Sequence, residues 1–305
     1  MTGRIVEVTT DGVHLSAERG FLSVSSGGEK LGQVALGDIA ALVVHAHGVT
    51  FSVNVVARLS DRGVPVVLCD RTHQPMALVW PVSGHYEQGH RMQAQADASK
   101  PLRKGLWREL VKAKIMAQAN MLELAGVNPG PLYDLARKVR SGDPDNIEAQ
   151  AARRYWQAMM GDAFRRDRNA GGANALLNYG YIVLRAATAR AILAAGLHPS
   201  LSIHHQSRGT ALRLADDLME PFRPYVDLVA RRLAATDSAE LTPAAKADLA
   251  AVLTMDLQGP MGASPVQTCI DRLASSLAQI YLGERKSLEL PGPPLALSAA
   301  GNRHS

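Results

Sequence analysis

The sequence changes from short β-type segments to long helical ones between residues 82 and 100, and this change limits the folds that the chain can adopt. Before it, seven strand-length runs are bounded by Gly, Asp or Pro, and one run at helical spacing, residues 52–62, is followed by Gly63. After it, apolar residues recur at three- and four-residue steps. The sequence therefore predicts an α+β protein, with a β-rich N-terminal domain over residues 1–82, a linker over 83–99 and an all-helical C-terminal domain over 100–285.

The last segment, residues 286–305, is rich in Pro, Ser, Ala and Gly, a composition that predicts disorder. No apolar run approaches the roughly 20 residues that a bilayer-spanning helix needs, so we expect no membrane association. The two cysteines, Cys69 and Cys269, are far apart, and residues 1–10 lack the charged and apolar regions of a signal peptide. We therefore expect a cytoplasmic protein that folds without disulfides.

Residues 201–224 contain two adjacent histidines followed by a short helical segment with three carboxylates. Asp217 and Glu220 are three residues apart and Asp216 and Glu220 are four apart, so on a helix either pair projects from neighbouring positions. The apolar residues around them predict that this helix is partly buried, where adjacent carboxylates repel each other unless a cation or a proton lies between them. A metal ion is the simpler of these two counter-charges.

Carboxylates together with one imidazole favour Mg²⁺ or Mn²⁺ over zinc, because neither cysteine lies in this segment or has a partner at zinc-site spacing. The alternative is a solvated acidic helix face beside a turn capped by His204 and His205, since short acidic motifs are common on helix surfaces. Pro221 and Pro224 interrupt the helix directly after Glu220, which predicts a bend that helps to open a cleft beside the ligands.

The charges outside this segment suit a polyanion that is brought to a metal. Residues 1–90 contain 6 Lys and Arg against 8 Asp and Glu, whereas the remainder contains 27 against 20. The helix that begins at Lys100 has a basic face that includes Lys114, and this face is either solvated or a surface for a phosphate backbone. A further helix is indicated by Asp143 and Pro144, and Glu148 in its first turns either complements the helix dipole or serves as a ligand.

These segments, taken together and in order, resemble one protein family. Glu148, NALLNYGYIVLRAA at residues 174–187, SIHHQSRG at 202–209 and LADDLMEPFRP at 214–224 are similar to segments of the CRISPR-associated integrase-endonuclease, the first of the Cas proteins. The resemblance covers nearly the whole chain, including the order of β-rich domain, linker and helical domain. The motif DLMEPFRP is most similar to the corresponding segment of family members that accompany single-effector, type II systems.

The resemblance implies a metal site made of three residues. In the family, the ligands are a glutamate at the start of a helix, a histidine in a short loop and an acid on the following helix. Carried over, these are Glu148, His205 and Glu220, which would hold Mg²⁺ or Mn²⁺, and Asp217 matches a further acidic position that supports the site. The family usually has a single histidine, so the choice of His205 over His204 rests on its spacing to Glu220.

The same resemblance implies an activity and a set of partners. The protein would insert short foreign DNA into the CRISPR array by metal-dependent attack of a 3′ hydroxyl on a phosphodiester, and it would cleave DNA where water replaces the hydroxyl. Its partners would be double-stranded DNA of the protospacer and the CRISPR repeat, a second copy joined through the β-rich domain as a homodimer, and a dimer of the second Cas protein that bridges two homodimers. In a type II system the effector nuclease and an accessory adaptation protein would also take part.

Three arginines, Arg208, Arg213 and Arg223, are candidates for DNA phosphate contacts because they lie close in sequence to the acidic residues. Two other functions are compatible with the same residues. One is a stand-alone nuclease that acts on branched DNA in repair. The other is a subunit without catalytic activity that positions DNA while another protein cuts it.

Overall fold

The computed structural model describes residues 4–70, 75–79, 81, 85–205, 211–235, 239–259 and 262–295. In the N-terminal part, the described strands form two four-stranded sheets. The strands are β1 (Arg4–Val8), β2 (His14–Glu18), β3 (Phe21–Ser26), β4 (Glu29–Ala35), β5 (Ile39–Val44), β6 (Thr50–Phe51), β7 (Val66–Cys69) and β8 (Pro75–Val79). The first sheet has the order β1-β5-β7-β8, with β8 antiparallel to a parallel trio, and the second has the order β4-β3-β2-β6, with β2 and β6 parallel.

Helix α1 (Val53–Ser60) completes the N-terminal part, where the sequence predicts a helix. The hydroxyl of Ser52 caps its start by accepting a hydrogen bond from the N–H of Val55 at 3.3 Å. Gly63, at φ 65°, follows its end in the left-handed conformation that glycine favours. The two sheets and α1 share one hydrophobic core, whose fully buried side chains include Leu15, Leu22, Leu42, Val55 and Leu59.

Strand β5 couples the N-terminal part to the helical part because it is buried on both faces. Successive side chains of a strand point to opposite faces of the sheet. Leu42 and Val44 accordingly enter the core of the β-rich part, whereas Ala41 and Val43 pack in a separate cluster with Ala186 of the helical part. The unbroken apolar run of β5 therefore serves two cores at once.

The C-terminal part is mainly helical. Its described helices are α2 (Gln88–Ala96), α3 (Lys100–Leu124), α4 (Leu132–Lys138), α5 (Ile147–Met160), α6 (Ala173–Ala194), α7 (Arg213–Leu218), α8 (Arg223–Ala234), α9 (Pro243–Ala251) and α10 (Val266–Tyr281). A hairpin of β9 (Asp256–Gly259) and β10 (Gly262–Pro265), which the sequence pattern does not predict, lies between α9 and α10. The predicted α+β class is confirmed. None of the described helices has both the length and the apolar character that crossing a bilayer requires.

Helix α6 contacts α7, α8, α9 and α10 as well as β5. Its approach to α8 is close at Gly180, where an added Cβ atom would lie 2.4 Å from Cγ1 of Val226. Two carbon atoms cannot approach to that distance, so the glycine allows the helices to pack as closely as they do.

The predicted linker, residues 83–99, contains α2, which is fixed to the chain just before the two adjacent histidines. Nε2 of the buried Gln95 donates hydrogen bonds to the carbonyls of His198 and Leu201 at 3.0 and 2.8 Å. Its Oε1 accepts a hydrogen bond from the N–H of His198 at 2.8 Å. Helix α2 is therefore packed against the helical part, while the domain limits at residues 82 and 100 stay a prediction.

The disorder predicted for residues 286–305 is wrong for residues 286–295. Leu288 is buried, and its N–H donates a hydrogen bond to Oε2 of Glu109 on α3 at 3.1 Å. The N–H of Glu289 donates to the hydroxyl of Ser276 on α10 at 2.9 Å. These contacts satisfy the backbone of a segment whose composition resembles that of a disordered tail. Residues 296–305 lie outside the described residues.

Candidate active site

A cavity of about 600 Å³ lies between the helical part and the residue that follows β7. Among the described residues, five cations and four acids line it, together with the imidazole of His205. The cations are Lys114, Arg166, Arg168, Arg185 and Arg223, and the acids are Asp70, Asp216, Glu220 and Asp227. Two of the three predicted metal ligands, His205 and Glu220, therefore lie in the wall of one cavity.

Lys114 on α3 connects Glu220 with the third predicted ligand, Glu148. Its Nζ atom donates a hydrogen bond to Oε1 of Glu148 at 2.6 Å and lies 2.5 Å from Oε2 of Glu220. Because both oxygens lie next to the same nitrogen, their separation is at most the sum of those two distances, about 5.1 Å. Two glutamates that are distant in the sequence are thus neighbours in the structure.

The charges of this cluster keep one another ionised. Burial alone would lower the pKa of Lys114, but the carboxylates of Glu220 and Glu148 outweigh it and the pKa is raised. Burial would likewise raise the pKa of Glu220. Arg223, whose Nε atom lies 2.9 Å from Oε1, and Lys114 instead lower the pKa of this carboxyl to about 2. Two carboxylates and two cations therefore balance one another within the protein.

The three acids after the histidines have separate partners in the structure, although their spacing predicts a cation or a proton between neighbouring acids. Helix α7 ends at Leu218, and Glu220 begins a separate 3-10 turn. Oδ2 of Asp216 lies 2.8 Å from Nη2 of Arg185 on α6. Asp217 contacts the histidine loop, and Glu220 contacts Lys114. Each of these acids therefore has its own partner in the structure, and a metal ion as their counter-charge stays a prediction.

Asp217 is completely buried and fixes the histidine loop. Its carboxylate accepts hydrogen bonds from the backbone N–H groups of Ile203, His204 and His205 at 2.7, 3.0 and 3.2 Å. Oδ1 also lies 2.5 Å from Nδ1 of His205, and this hydrogen bond raises the pKa of the imidazole. Nε2 of His205 makes no hydrogen bond to the described residues. Asp217 therefore holds the ring by one nitrogen and leaves the other available as a ligand atom.

The two adjacent histidines have different surroundings. The ring of His204 stacks on the indole of Trp107, with the ring centroids 4.2 Å apart and the planes 4° apart. Burial lowers the pKa of His204, which favours a neutral packing partner. His205 contacts the same indole edge-on and lines the cavity. Trp107, a buried residue of α3 that the sequence analysis does not assign to the site, thus supports the loop that contains both histidines.

Glu148 is positioned by the start of α5. The sequence predicts that Asp143 and Pro144 begin this helix, but it begins at Ile147, after Asn146 in a left-handed conformation with φ 52°. The carboxylate of Asp143 nevertheless accepts hydrogen bonds from the N–H groups of Ile147 and Glu148 at 2.9 and 3.0 Å. Asp143 therefore satisfies the first turn from outside the helix and fixes the backbone of Glu148.

A second buried acid, Asp227 on α8, lies in the wall of the same cavity. The hydroxyls of Tyr155 on α5 and Tyr181 on α6 donate hydrogen bonds to its Oδ2 and Oδ1 atoms at 2.8 and 2.5 Å. Burial raises the pKa of Asp227 to about 6, although both hydrogen bonds oppose this rise. No feature of its immediate sequence distinguishes Asp227 from a surface acid, so the sequence alone does not place this residue in the site.

Of the arginines predicted to contact DNA, Arg223 is the one described residue that lines the cavity. It pairs with Glu220, and its guanidinium also lies over the ring of Tyr181, 4.7 Å from the centroid. Arg213 is partly buried at the start of α7 and is not part of the cavity wall. Arg208 lies outside the described residues. The cavity wall contains instead Arg166, Arg168 and Arg185, which the sequence analysis does not single out.

The donor groups fit Mg²⁺ or Mn²⁺, which prefer carboxylate oxygens and accept an imidazole. Oε2 of Glu220 is buried, and the ammonium of Lys114 lies 2.5 Å from it, so this oxygen already faces a cation. As arranged, however, the described residues contain no group of three or more His, Cys, Asp or Glu side chains that could hold an ion. The ammonium of Lys114 lies between the two carboxylates, where an ion shared by them would have to bind.

The sequence is similar to one family of known proteins. The family described as CRISPR associated protein Cas1 matches residues 6–256. The CRISPR-associated endonuclease Cas1 of Neisseria meningitidis serogroup C (strain 8013) is 34% identical over 95% of this chain and 96% of its own length. A second relative, the CRISPR-associated endonuclease Cas1 2 of Pyrobaculum aerophilum, is 27% identical over 90% of this chain and 98% of its own length.

Solved structures share the fold. A casposase bound to integration product has a TM-score of 0.78 at 20% identity, covering 94% of this chain and 92% of that chain. A Cas1 protein from Thermotoga maritima has a TM-score of 0.74 at 16% identity, covering 93% and 98%. A Cas6-RT-Cas1–Cas2 complex has a TM-score of 0.70 at 18% identity, covering 93% of this chain and 35% of that chain.

Proposed function

This chain belongs to the Cas1 family of CRISPR-associated proteins, and we propose that it acts in spacer acquisition as a DNA integrase and endonuclease. The 3′ hydroxyl of a short foreign DNA attacks a phosphodiester at the repeat boundary. A new P–O bond forms, the original P–O bond breaks, and the leaving oxygen takes up a proton. With water as the nucleophile, the same steps hydrolyse DNA, so the two activities differ only in the attacking oxygen.

The main support for this proposal is that Glu148 and Glu220 both contact Nζ of Lys114, and that Glu220 lines the same cavity as His205. The three side chains come from the start of α5, the turn after α7 and the loop before it. We propose that these three residues hold Mg²⁺ or Mn²⁺. When bound, the ion would polarise the phosphoryl oxygen, lower the pKa of the nucleophile and stabilise the leaving oxygen.

The remaining residues of the site prepare these ligands. Asp217 sets the orientation of His205 through Nδ1, so that Nε2 is the nitrogen that can bind a cation. Arg223 and Lys114 keep Glu220 ionised, the form that a metal ligand requires. Trp107 holds His204 out of the cavity, which favours His205 as the ligand of the pair.

We propose the partners that the family implies. They are double-stranded DNA of the protospacer and the CRISPR repeat, a second copy of the chain through the β-rich part, and a dimer of the second Cas protein. The structural relative with an integration product and the relative in a Cas1–Cas2 complex support DNA and Cas2 as partners. Because of the motif DLMEPFRP, we also propose that the chain belongs to a type II CRISPR system, with the effector nuclease and the accessory adaptation protein as further partners. A cytoplasmic location stays a prediction.

The proposed site is tested by removing either glutamate. Glu148→Ala and Glu220→Ala should reduce transfer of a labelled 3′ end into supercoiled target DNA in Mn²⁺ to background, while thermal unfolding shows that the variants are folded. Asp134→Ala, which removes an exposed acid paired with Arg137 on the surface, is the matched control and should keep the wild-type rate. Transfer at the wild-type rate by either glutamate variant would show that the site is wrong.

The balanced charges around Lys114 favour one alternative, a subunit without catalytic activity that positions DNA for another enzyme. This alternative gains if the wild type binds DNA yet shows no strand transfer with its Cas partner under Mg²⁺ or Mn²⁺. A stand-alone nuclease for branched DNA, in contrast, should cut branched substrates in the absence of any partner. The two assays separate these functions from the proposed one.

A further inference from the structure

The five cations of the cavity differ in whether a carboxylate already neutralises them. Lys114 pairs with Glu148 and Glu220, and Arg223 also pairs with Glu220. Arg185 pairs in turn with Asp216. Arg166 and Arg168, which follow α5, make no ion pair with the described residues. The positive charge that the cavity can offer to an anion therefore resides in these two arginines.

The side chain of Arg166 is held by neutral groups. Its Nη1 donates a hydrogen bond to Oδ1 of Asn174 at 3.0 Å, and its Nη2 donates to Oδ1 of Asn178 at 2.6 Å. The guanidinium also lies 5.5 Å from the ring centroid of Tyr181. Amide oxygens and an aromatic face fix the direction of a guanidinium without cancelling its charge. Arg166 is thus fixed in place as a cation on the cavity wall.

The two asparagines also fix the loop itself. Oδ1 of the buried Asn174 accepts a hydrogen bond from the N–H of Asp167 at 2.9 Å, and its Nδ2 donates to the carbonyl of Arg165 at 3.1 Å. Nδ2 of Asn178 donates to the carbonyl of Arg168 at 2.8 Å. The loop is therefore attached to α6 on both sides of Arg166.

From this arrangement we infer that Arg166, with Arg168 beside it, binds a backbone phosphate of the DNA strand that enters the cavity. The inference rests on the proposed function, since it places a DNA strand at this site. A guanidinium with free N–H donors recognises phosphate through directed, charge-assisted hydrogen bonds. Asp227 on the same wall makes no ion pair with Arg166, and its charge acts on the guanidinium only at longer range, while its carboxylate accepts hydrogen bonds from two tyrosine hydroxyls. The bound phosphate neighbours the one that reacts and fixes the strand relative to Glu148 and Glu220.

The test is the salt dependence of DNA binding, measured by fluorescence anisotropy with the full chain in EDTA between 50 and 200 mM KCl. Each phosphate contact that is lost makes the slope of log K against log salt less steep by about 0.7 for single-stranded and 0.9 for duplex DNA. We expect that change for Arg166→Gln on a duplex with a single-stranded 3′ tail. The wild type should then lose about threefold more affinity over this range than the variant. A blunt duplex shows whether the contacted phosphate belongs to the tail.

The matched control is Arg165→Gln. Arg165 is exposed in the same loop, donates hydrogen bonds to the carbonyls of Asp162 and Phe164, and is not part of the cavity wall. It should keep the wild-type slope, and Arg166→Lys should keep the slope with weaker binding, because it retains the charge but not the planar fork. If Arg166→Gln proves unfolded by circular dichroism, Arg168→Gln at the exposed position tests the same contact.

Equal slopes for the Arg166 variant, the Arg165 variant and the wild type would overturn the inference, as would an equal loss in both variants. Because binding is measured without a divalent ion, the result does not depend on catalysis. A wild type that binds DNA but never joins ends would remove the proposed function and leave the phosphate contact standing. If the wild type joins ends and the Arg166→Gln variant has the wild-type slope, the proposed function stands and the phosphate contact is removed.

Discussion

Two acidic centres lie in the wall of one cavity, and both are buried, yet they differ in charge. In the first, Glu220 faces a lysine and an arginine, and its pKa is lowered to about 2. In the second, Asp227 accepts hydrogen bonds from two tyrosine hydroxyls, and its pKa is raised to about 6. Burial favours the neutral acid at both places. The difference therefore comes from the partners. Directly paired cations outweigh burial at Glu220, whereas two hydroxyls and the more distant charges of Arg223 and Lys114 do not outweigh it at Asp227.

This difference suggests different roles for the two centres: the one with Glu220 is suited to bind a cation, and the one with Asp227 to stabilise the fold. An ionised carboxylate can exchange one cation for another, so the centre that contains Glu148, Lys114 and Glu220 is suited to bind a metal. Asp227 instead connects three helices, since Tyr155 belongs to α5, Tyr181 to α6 and Asp227 itself to α8. We therefore expect changes at the first centre to alter metal binding and changes at the second to alter the pH dependence of folding.

Removal of the cation from the first centre should have the largest effect. In Lys114→Met, Glu148 and Glu220 keep their charges but lose the ammonium between them. We expect the free energy of unfolding in EDTA to fall by about 4 kcal/mol, since a broken buried ion pair leaves uncompensated charge. The same variant should bind Mn²⁺ more tightly than the wild type, because no ammonium competes for the carboxylates. Urea denaturation and calorimetric titration measure the two quantities.

The matched control is Lys112→Met on the same helix, which makes no ion pair with the described residues. It should unfold at nearly the wild-type urea concentration and bind Mn²⁺ with the wild-type affinity. If the two lysine variants behave alike, the ammonium of Lys114 is not the counter-charge of the glutamates, and the contrast between the two centres disappears.

The second centre should make the free energy of unfolding depend on pH. The folded pKa of Asp227, about 6, lies above the ordinary value of 3.8. Between these values the folded chain binds more protons than the unfolded chain, so this residue makes stability fall as the pH rises from about 4 to 6. Asp227→Asn cannot titrate, and its stability relative to the wild type should therefore rise by about 2–3 kcal/mol between pH 4 and pH 7.

Urea denaturation at closely spaced pH values measures this change, and the exposed Asp134→Asn serves as the control. Only the pH dependence is diagnostic, because the amide that replaces Asp227 also changes one hydrogen bond at every pH. A difference between Asp227→Asn and the wild type that stays constant from pH 4 to pH 7 would mean that the buried acid titrates normally.

The fold is largely predictable because its elements have strong local patterns. Seven of the eight strands from β1 to β8 follow the seven strand-length runs of the sequence, and the long helices α3 and α6 follow its apolar periodicity, whereas the two-residue β6 and the short α4 have no such pattern. The disorder prediction for the C-terminal segment fails for a physical reason. Its composition predicts disorder, but Leu288 fills an apolar site and Glu109 and Ser276 satisfy its backbone. Those partners are distant in the sequence, so no local composition can reveal them.

The candidate site is less predictable than the fold. The pairing of Glu148 with Glu220 follows from the family resemblance and not from spacing, since residue spacing makes only Asp216 or Asp217 a neighbour of Glu220. Lys114 illustrates the limit, because its sequence neighbours place it on a basic helix face. Only the packing of α3 against α5 and the turn after α7 brings its ammonium between two carboxylates.

Loss of the cap that positions Glu148 should have the smallest of these effects and still distinguish the centres. Asp143→Ala removes the acceptor of the Ile147 and Glu148 N–H groups, which should cost about 1 kcal/mol of stability. Mn²⁺ affinity should fall, because the backbone of Glu148 is then less fixed. The pH dependence that Asp227 produces should not change, since this acid lies in the middle of α8.

Ser52→Ala, which removes the cap of α1 in the β-rich part, is the control for a cap lost elsewhere. It should lose a similar amount of stability in urea and keep the wild-type Mn²⁺ affinity in calorimetry. If both cap variants weaken Mn²⁺ binding equally, the effect is a general loosening of the fold and the start of α5 has no special part in placing Glu148. If only Asp143→Ala does so, the two centres depend on different local structures: one on a helix terminus, the other on the packing of three helix interiors.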